Sequence, residues 1–75
     1  MLCRFFRKQK GFSQTYLADA MNVVQATVSY WETGLRFPTY NDLIKLSLIL
    51  DCSVNDLIAD DIEKMKKEFD YEKKG

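Results

Sequence analysis

Residues 13–32 constrain the fold of this chain more than any other segment, because two amphipathic stretches meet there with only a few residues between them. Ser13 is a suitable helix cap, since its hydroxyl accepts a hydrogen bond from a free N–H of the first turn. Asn22 tolerates the left-handed backbone that a tight corner demands. A second helix is predicted from about residue 24 or 25 to residue 33, and Gly34 ends it. The segment therefore predicts two short helices joined by a tight corner.

The apolar residues of these two helices indicate which sides face the core. The predicted inward face of the first helix consists of four residues at helical spacing: Tyr16, Leu17, Ala20 and Met21. In the second helix Val28 and Trp31 point inward, and Ala18 is small enough for the two helices to approach closely. Apolar spacing alone also fits a generic helical hairpin, so this pattern predicts packing and not function.

The rest of the chain predicts further helices that hold this unit. Residues 2–10 form an amphipathic and basic stretch that ends at a glycine. Thr39 and Ser53 each precede a helical pattern with an acid three residues later, which resembles a capping box. We therefore predict an all-α fold, with a helical domain over residues 1–59 and a charged C-terminal helical extension over residues 60–75.

The composition restricts the class of protein. Seventy-five residues make one domain, and 47% hydrophobic residues allow a compact core without metal or disulfide. With no histidine, and with Cys3 and Cys52 far apart, we expect two buried free thiols, no metal site and no cofactor. No apolar run approaches the roughly 18 residues of a membrane span, and no signal peptide is evident. A cytoplasmic protein without membrane contact is expected.

The net charge is zero, but the charges are unevenly distributed. Residues 1–36 carry five basic and two acidic side chains, a net +3, and the remainder carries six lysines and nine acids, a net −3. The basic excess accompanies the helix–corner–helix unit, so a modest, salt-sensitive attraction to a polyanion is expected. No histidine, glycine-rich phosphate loop or activated nucleophile is evident, so the chain is not predicted to be an enzyme.

Six short segments, in this order and spacing, resemble the phage repressor and Cro-type helix-turn-helix family, also described as xenobiotic-response-element-like regulators. They are GFSQ at 11–14, LA at 17–18, VSYWETG at 28–34, RFPT at 36–39, LIKLS at 43–47 and SVNDL at 53–57. The resemblance covers roughly residues 2–58. It implies a compact five-helix lambda-repressor-like DNA-binding domain. It also implies that the helix over about 24–33 enters the major groove and that the protein binds a near-palindromic operator as a homodimer.

The resemblance also assigns roles to individual residues of this chain. The implied DNA-binding positions are Gln14, Gln25, Ala26, Thr27, Ser29, Tyr30, Thr33 and Arg36. Gln14 would contact a phosphate and support Gln25, whose amide suits adenine, while the methyl group of Ala26 suits thymine. Arg7 and Glu32 match a structural ion pair of the family. Each of these side chains, taken alone, also fits a solvated surface position.

Four positions depart from the family pattern. Gln25 and Tyr30 stand where relatives commonly have a basic residue, so no base preference can be copied from a relative. The corner position held by Asn22 is usually glycine. The position before the recognition helix usually holds a polar cap, whereas this chain has Val24, which cannot cap. The first turn of that helix is therefore expected either to fray or to place Val23 and Val24 against a thymine methyl group.

Several apolar residues exceed what the core needs. Four of them are Phe5, Ile44, Leu48 and Ile49, and a further stripe in the tail consists of Ile62, Met65 and Phe69. They fit either scattered surface residues or a partner surface. The fifth helix and the tail are predicted to contribute to a homodimer, and the alternatives for the tail are a helix packed on its own domain or a frayed end. The predicted partners are double-stranded DNA and a second copy of the chain, with no small-molecule ligand evident. The alternative function is a small antitoxin or adaptor that masks a toxin or another protein.

Overall fold

The computed structural model describes residues 1–73, with side chains as far as Phe69. This range forms six helices: α1 Cys3–Gln9, α2 Gln14–Met21, α3 Gln25–Thr33, α4 Tyr40–Leu50, α5 Val54–Leu57 and α6 Ala59–Lys73. The described residues contain no strand. The predicted all-α fold, with five helices and a helical extension, is confirmed. The last two residues of the predicted 60–75 extension lie outside the described residues.

Three helices begin at the side-chain caps that the sequence predicts. The hydroxyls of Ser13, Thr39 and Ser53 accept hydrogen bonds from the backbone N–H groups of Tyr16, Asp42 and Asp56, at 3.0, 3.2 and 2.9 Å. Each bond satisfies a donor that the first helical turn otherwise leaves free. These local contacts fix where α2, α4 and α5 start.

The corner between α2 and α3 is made by Asn22, which has the left-handed backbone that was predicted for it (φ 58°, ψ 44°). Its N–H donates to the carbonyl oxygen of Asp19 at 3.1 Å, and the N–H of Val23 donates to that of Ala18 at 2.9 Å. These bonds satisfy the last carbonyl groups of α2. The chain therefore turns within three residues, and α3 packs against α2.

The core contains ten buried apolar residues: Cys3, Leu17, Ala18, Met21, Val28, Trp31, Leu43, Leu46, Leu50 and Leu57. The prediction for the α2 face was wrong at Tyr16 and Ala20, which are both exposed. The buried side of α2 is centred on Leu17, so Tyr16 is turned about 100° away from it. The Tyr16 ring lies against Phe12, with the ring centroids 4.5 Å apart.

Both cysteines are free. Cys3 is fully buried and Cys52 is partly buried, so the prediction of two buried thiols holds fully only for Cys3. Burial raises the pKa of the Cys3 thiol to about 12, so this thiol is neutral at physiological pH.

The described molecule is elongated, with principal extents of 47 × 22 × 20 Å. Helix α6 follows α5 directly and packs mainly against it. Of the surplus apolar residues, Phe5 and Leu48 are exposed, Ile44 is half-buried, and Ile49 packs on the core. None of the helices in the described range is both long and apolar enough to cross a membrane.

Candidate nucleic-acid interface

Helix α3 presents its polar side to solvent and its apolar side to the core. Val28 and Trp31 are buried, as predicted, and they anchor α3 on α2. Gln25 and Ala26 are exposed at the start of the helix. The other residues predicted on this surface are partly or fully exposed: Thr27, Ser29, Tyr30 and Thr33. The structure therefore brings six of the eight predicted DNA-binding residues together along one helix.

The first turn of α3 forms without a side-chain cap. Val24 has extended backbone (φ −77°, ψ 154°) and makes no capping hydrogen bond, as the sequence predicts, and its side chain is exposed. The helix nevertheless starts there, because the N–H of Thr27 donates to the Val24 carbonyl oxygen at 3.0 Å. Val23 packs against the core beside the corner, so Val24 is the more exposed of the two valines.

The end of α3 is held by an ion pair with α1. The Nε atom of Arg7 donates to Oε2 of Glu32 at 2.6 Å, and a second guanidinium nitrogen donates to Oε1 at 3.1 Å. The third nitrogen donates to the carbonyl oxygen of Phe12 at 2.8 Å. The side chains of Arg7 and Glu32 are only 10% and 3% exposed. This two-point contact fixes the orientation of both groups, since the planar guanidinium matches the carboxylate.

Gln14 connects this ion pair to the exposed end of α3. Its Nε2 donates to Oε1 of Glu32 at 3.0 Å, and its Oε1 accepts from Nε2 of Gln25 at 3.3 Å. Four side chains therefore form one continuous network from the α1 scaffold to the surface: Arg7, Glu32, Gln14 and Gln25.

The network determines which way each amide faces. An ionised carboxylate only accepts hydrogen bonds, so Gln14 must turn its NH₂ group toward Glu32. Its oxygen then faces Gln25, which must supply an N–H. Gln25 keeps one further N–H donor and its Oε1 acceptor for a ligand. Adenine presents the complementary acceptor and donor, N7 and N6–H, in the major groove.

The orientation of the Gln14 amide requires a negative charge on Glu32, and the neighbours of Glu32 maintain that charge. Burial alone would raise the pKa of Glu32, but hydrogen bonds from Arg7 and Gln14 outweigh it and hold the pKa below its ordinary value. The carboxylate is therefore ionised at neutral pH, and it fixes the amide orientation of Gln14 at that pH.

The chain after α3 places a cation beside the same surface. The guanidinium carbon of Arg36 lies 5.2 Å from the centroid of the Tyr30 ring. The backbone N–H of Arg36 donates to the backbone carbonyl oxygen of Tyr30 at 3.2 Å. Thr33 donates its hydroxyl to the Ser29 carbonyl oxygen at 3.0 Å, so it is engaged within the helix. Arg36 is exposed, and its stacking on Tyr30 holds a positive charge near the C-terminal end of α3.

Two contacts of this surface have no signal in the sequence. Nothing marked the backbone of Phe12 as an acceptor for Arg7, and the stacking of Arg36 on Tyr30 depends on how the loop after Gly34 folds back.

Within the described residues, no group of three or more potential ligands is arranged to hold a metal ion.

This geometry is that of a helix-turn-helix unit, with α2 as the supporting helix and α3 as the exposed one. A helix-turn-helix family profile matches residues 4–57. The chain belongs to the helix-turn-helix family, as the sequence motifs indicated. Because this family acts by binding DNA and not by catalysis, the prediction that the chain is not an enzyme is confirmed.

Three curated proteins are similar to this chain. It is 38% identical over 52 residues to the uncharacterized HTH-type transcriptional regulator YqaE of Bacillus subtilis, covering 69% of this chain and 45% of that protein. It is 36% identical over 61 residues to the HTH-type transcriptional regulator DicA of Escherichia coli, covering 81% and 45%. The third is the HTH-type transcriptional regulator AnsR of Bacillus subtilis, 29% identical over 58 residues, covering 77% and 50%.

The chain spans about half the length of these relatives. No solved structure matches it with significant similarity.

Proposed function

We propose that this chain is the sequence-specific DNA-binding module of a transcriptional regulator that represses by occupying its operator. Helix α3 lies in the major groove, and the contacting residues are the eight of the predicted surface: Gln14, Gln25, Ala26, Thr27, Ser29, Tyr30, Thr33 and Arg36. Residues 1–59 form the DNA-binding domain and residues 60–75 the extension. The observation that carries this proposal is the network that connects Gln25 through Gln14 to the buried Arg7–Glu32 pair.

The network supports base recognition because it fixes a glutamine amide before any ligand arrives. An exposed glutamine that reorients freely loses conformational entropy when it binds, and both of its polarities are available to a base. Gln25 is held in one polarity, with an N–H and an oxygen directed outward. We therefore propose that Gln25 reads adenine, accepting from N6–H and donating to N7.

The charge distribution supports contact with phosphates. The net +3 of residues 1–36 lies in the half of the chain that contains α2 and α3, and Arg36 adjoins α3 itself. The N-terminus of α2 leaves free N–H groups beside Gln14, which favour a phosphate. These contacts position the helix, and the side chains of the first α3 turn then discriminate among bases.

A single α3 covers only a few base pairs, so we propose that the chain binds as a homodimer on a near-palindromic operator. In two-fold helix-turn-helix dimers the recognition helices lie about 34 Å apart, one turn of B-DNA. Each chain then reads one half-site, and the two half-sites together provide the discrimination that a single module lacks.

The proposal is tested by titrating the promoter DNA next to the gene with the full chain and measuring fluorescence anisotropy at low and moderate salt. Gln25→Ala and Tyr30→Ala are expected to weaken binding, whereas Asn55→Ala is the matched control. Asn55 is an exposed polar residue of α5, which packs mainly on α4 and α6. Equal affinity of all four proteins, or no binding by the parent chain at low salt, contradicts the proposal.

The second result, no binding at low salt, favours the alternative of an antitoxin or adaptor, in which the exposed surface of α3 masks a protein. A toxin gene beside this one would then supply the partner to be tested.

A further inference from the structure

The C-terminal half of α6 carries apolar side chains that no part of the described chain covers. Ile58 packs on the core and Ile62 is half-buried, but Met65 and Phe69 are 59% and 57% exposed. Ile62, Met65 and Phe69 lie on one stripe of α6 at spacings of three and four residues, the pattern of alternating a and d positions in a heptad. Ile58, which directly precedes α6, extends this spacing by four residues in the sequence. The stripe therefore begins on the domain and continues along the helix to where it is exposed.

We propose that this exposed end of α6 pairs with the same helix of a second copy, in parallel, as a short two-stranded coiled coil. The inference rests on the homodimer of the proposed function and specifies how that dimer is held. Met65 and Phe69 of the two copies face each other across the two-fold axis. Between Ile62 and Phe69 every residue except Met65 is charged, so the apolar stripe is narrow there and suits one partner helix.

The charges beside the stripe indicate the occupant and its direction. One edge of the stripe is acidic, with Asp61 and Glu68 at g positions, and the other is basic, with Lys66 at an e position. In a parallel pair the g edge of each helix faces the e edge of the other, so Asp61 faces Lys66 of the second copy on both sides. In an antiparallel pair the two acidic edges face each other, as do the two basic edges. The stripe is therefore complementary to a parallel copy of itself.

The Asp61 carboxylate is oriented but not fully enclosed. It lies 3.1 Å from the Met1 amino nitrogen, and its side chain remains 30% exposed. Its Oδ2 atom is buried, so a lysine from a second helix would approach the part of the side chain that remains exposed. This pair contributes mainly to the direction of pairing, because exposed ion pairs add little to affinity.

Parallel pairing also agrees with DNA binding. It places both globular domains at the same end of the paired helices, so both α3 helices are available to one face of a duplex. Antiparallel pairing separates the two domains to opposite ends. The paired stripe is short, so association of the free chains is weak, and binding to adjacent half-sites raises the effective concentration of one α6 near the other.

The pairing is tested first by analytical ultracentrifugation of the full chain and of three variants. The double variant Met65→Ala, Phe69→Ala is expected to raise the dimer dissociation constant by about tenfold or more. Lys66→Glu is expected to raise it several-fold, because it places two acids opposite each other. Lys64→Glu makes the same charge change away from the stripe and is expected to leave the constant unchanged. A parent chain that stays monomeric even at the highest concentration that can be sedimented, or a Lys66→Glu chain equal to Lys64→Glu, overturns the proposal.

Direction is tested independently by disulfide trapping in a Cys52→Ser background, where the remaining Cys3 is fully buried. A cysteine introduced by Phe69→Cys lies opposite its copy in the parallel pair and is expected to cross-link when diamide removes the two thiol hydrogens. A cysteine introduced by Lys67→Cys, off the stripe, is the control. Equal cross-linking at the two positions, or none at Phe69→Cys, overturns the proposal without requiring any variant to alter the fold.

This inference and the proposed function fail in distinguishable ways. A chain that dimerises through α6 but binds no DNA contradicts the function and leaves the pairing intact. A chain that binds DNA with undiminished affinity after Met65→Ala, Phe69→Ala contradicts the pairing and leaves the function intact. Circular dichroism of each variant identifies any that has lost its helices.

Discussion

Arg7 and Glu32 join the first helix to the end of the recognition helix through two hydrogen bonds, 2.6 and 3.1 Å long, with both side chains almost enclosed. Because Glu32 also accepts from Gln14, the same contact determines the position of α3 and the polarity of the glutamines at its exposed end. The position of α3 and the proposed recognition of a base by Gln25 therefore depend on one ion pair.

Removing one partner of this pair is expected to cost more than half of what removing both costs. Arg7→Met leaves a buried carboxylate and Glu32→Leu leaves a buried guanidinium, and each is expected to lower the free energy of unfolding by about 3 kcal/mol. In the double variant the two losses are expected to fall short of additivity by about 2 kcal/mol. Urea unfolding of the four proteins measures this coupling, and simple additivity would show that the pair contributes nothing as a pair.

Acid is expected to remove the contribution of Glu32. Its pKa in the folded chain lies below the ordinary 4.5, so its stabilisation is complete above the unfolded pKa. The stabilisation decreases as the pH falls below 4.5 and is gone once the pH is below the folded pKa. The difference in unfolding free energy between the parent chain and Glu32→Gln is expected to be constant from neutral pH to about 6 and to shrink under acid. A difference that grows as the pH falls contradicts the assignment.

A polar cap introduced before α3 is expected to stabilise the domain. Val24 occupies the cap position with extended backbone, is exposed, and makes no capping hydrogen bond. Val24→Ser supplies the missing acceptor and is expected to raise the free energy of unfolding by about 0.5–1 kcal/mol. Val24→Ala, which removes the same branched side chain without adding an acceptor, is the control for thermal unfolding. A serine variant no more stable than the alanine variant would mean that the first turn of α3 needs no cap.

Arg36 is expected to contribute affinity without sequence preference. Its guanidinium is held over Tyr30 beside α3, where we propose that it contacts phosphate and not a base edge. Arg36→Ala is expected to weaken binding to all sequences alike and to lower the slope of log affinity against log salt by about 1. Anisotropy titrations over a salt series measure both quantities. A variant that changes which sequence is preferred, with the slope unaltered, would place Arg36 at a base instead.

The elements that the sequence predicts well are those fixed by neighbouring residues. The caps at Ser13, Thr39 and Ser53 and the corner at Asn22 depend on side chains within three residues of the backbone groups they satisfy or on one residue's own backbone. Their chemistry is therefore visible in the chain itself.

The elements that the sequence predicts poorly depend on distant partners. Helical spacing fixes the width of the buried face of α2 but not its centre, so the sequence predicts Tyr16 and Ala20 inward although both are exposed, whereas Ala18 is buried as its small size indicates. The hydrogen bond from Gln14 to Glu32 joins residues 18 apart, and neither its existence nor its effect on amide polarity follows from local pattern.

The most direct test of the proposed reading of DNA by α3 is a selection of bound sequences from random DNA, run in parallel with the parent chain and with Gln25→Ala. We expect the parent chain to enrich a near-palindromic motif with adenine at one symmetric position in each half-site. We expect Gln25→Ala to lose the preference at that position, by about 1–3 kcal/mol, and to keep it elsewhere. An identical motif from both proteins, or no enriched motif from the parent chain, would contradict the proposal.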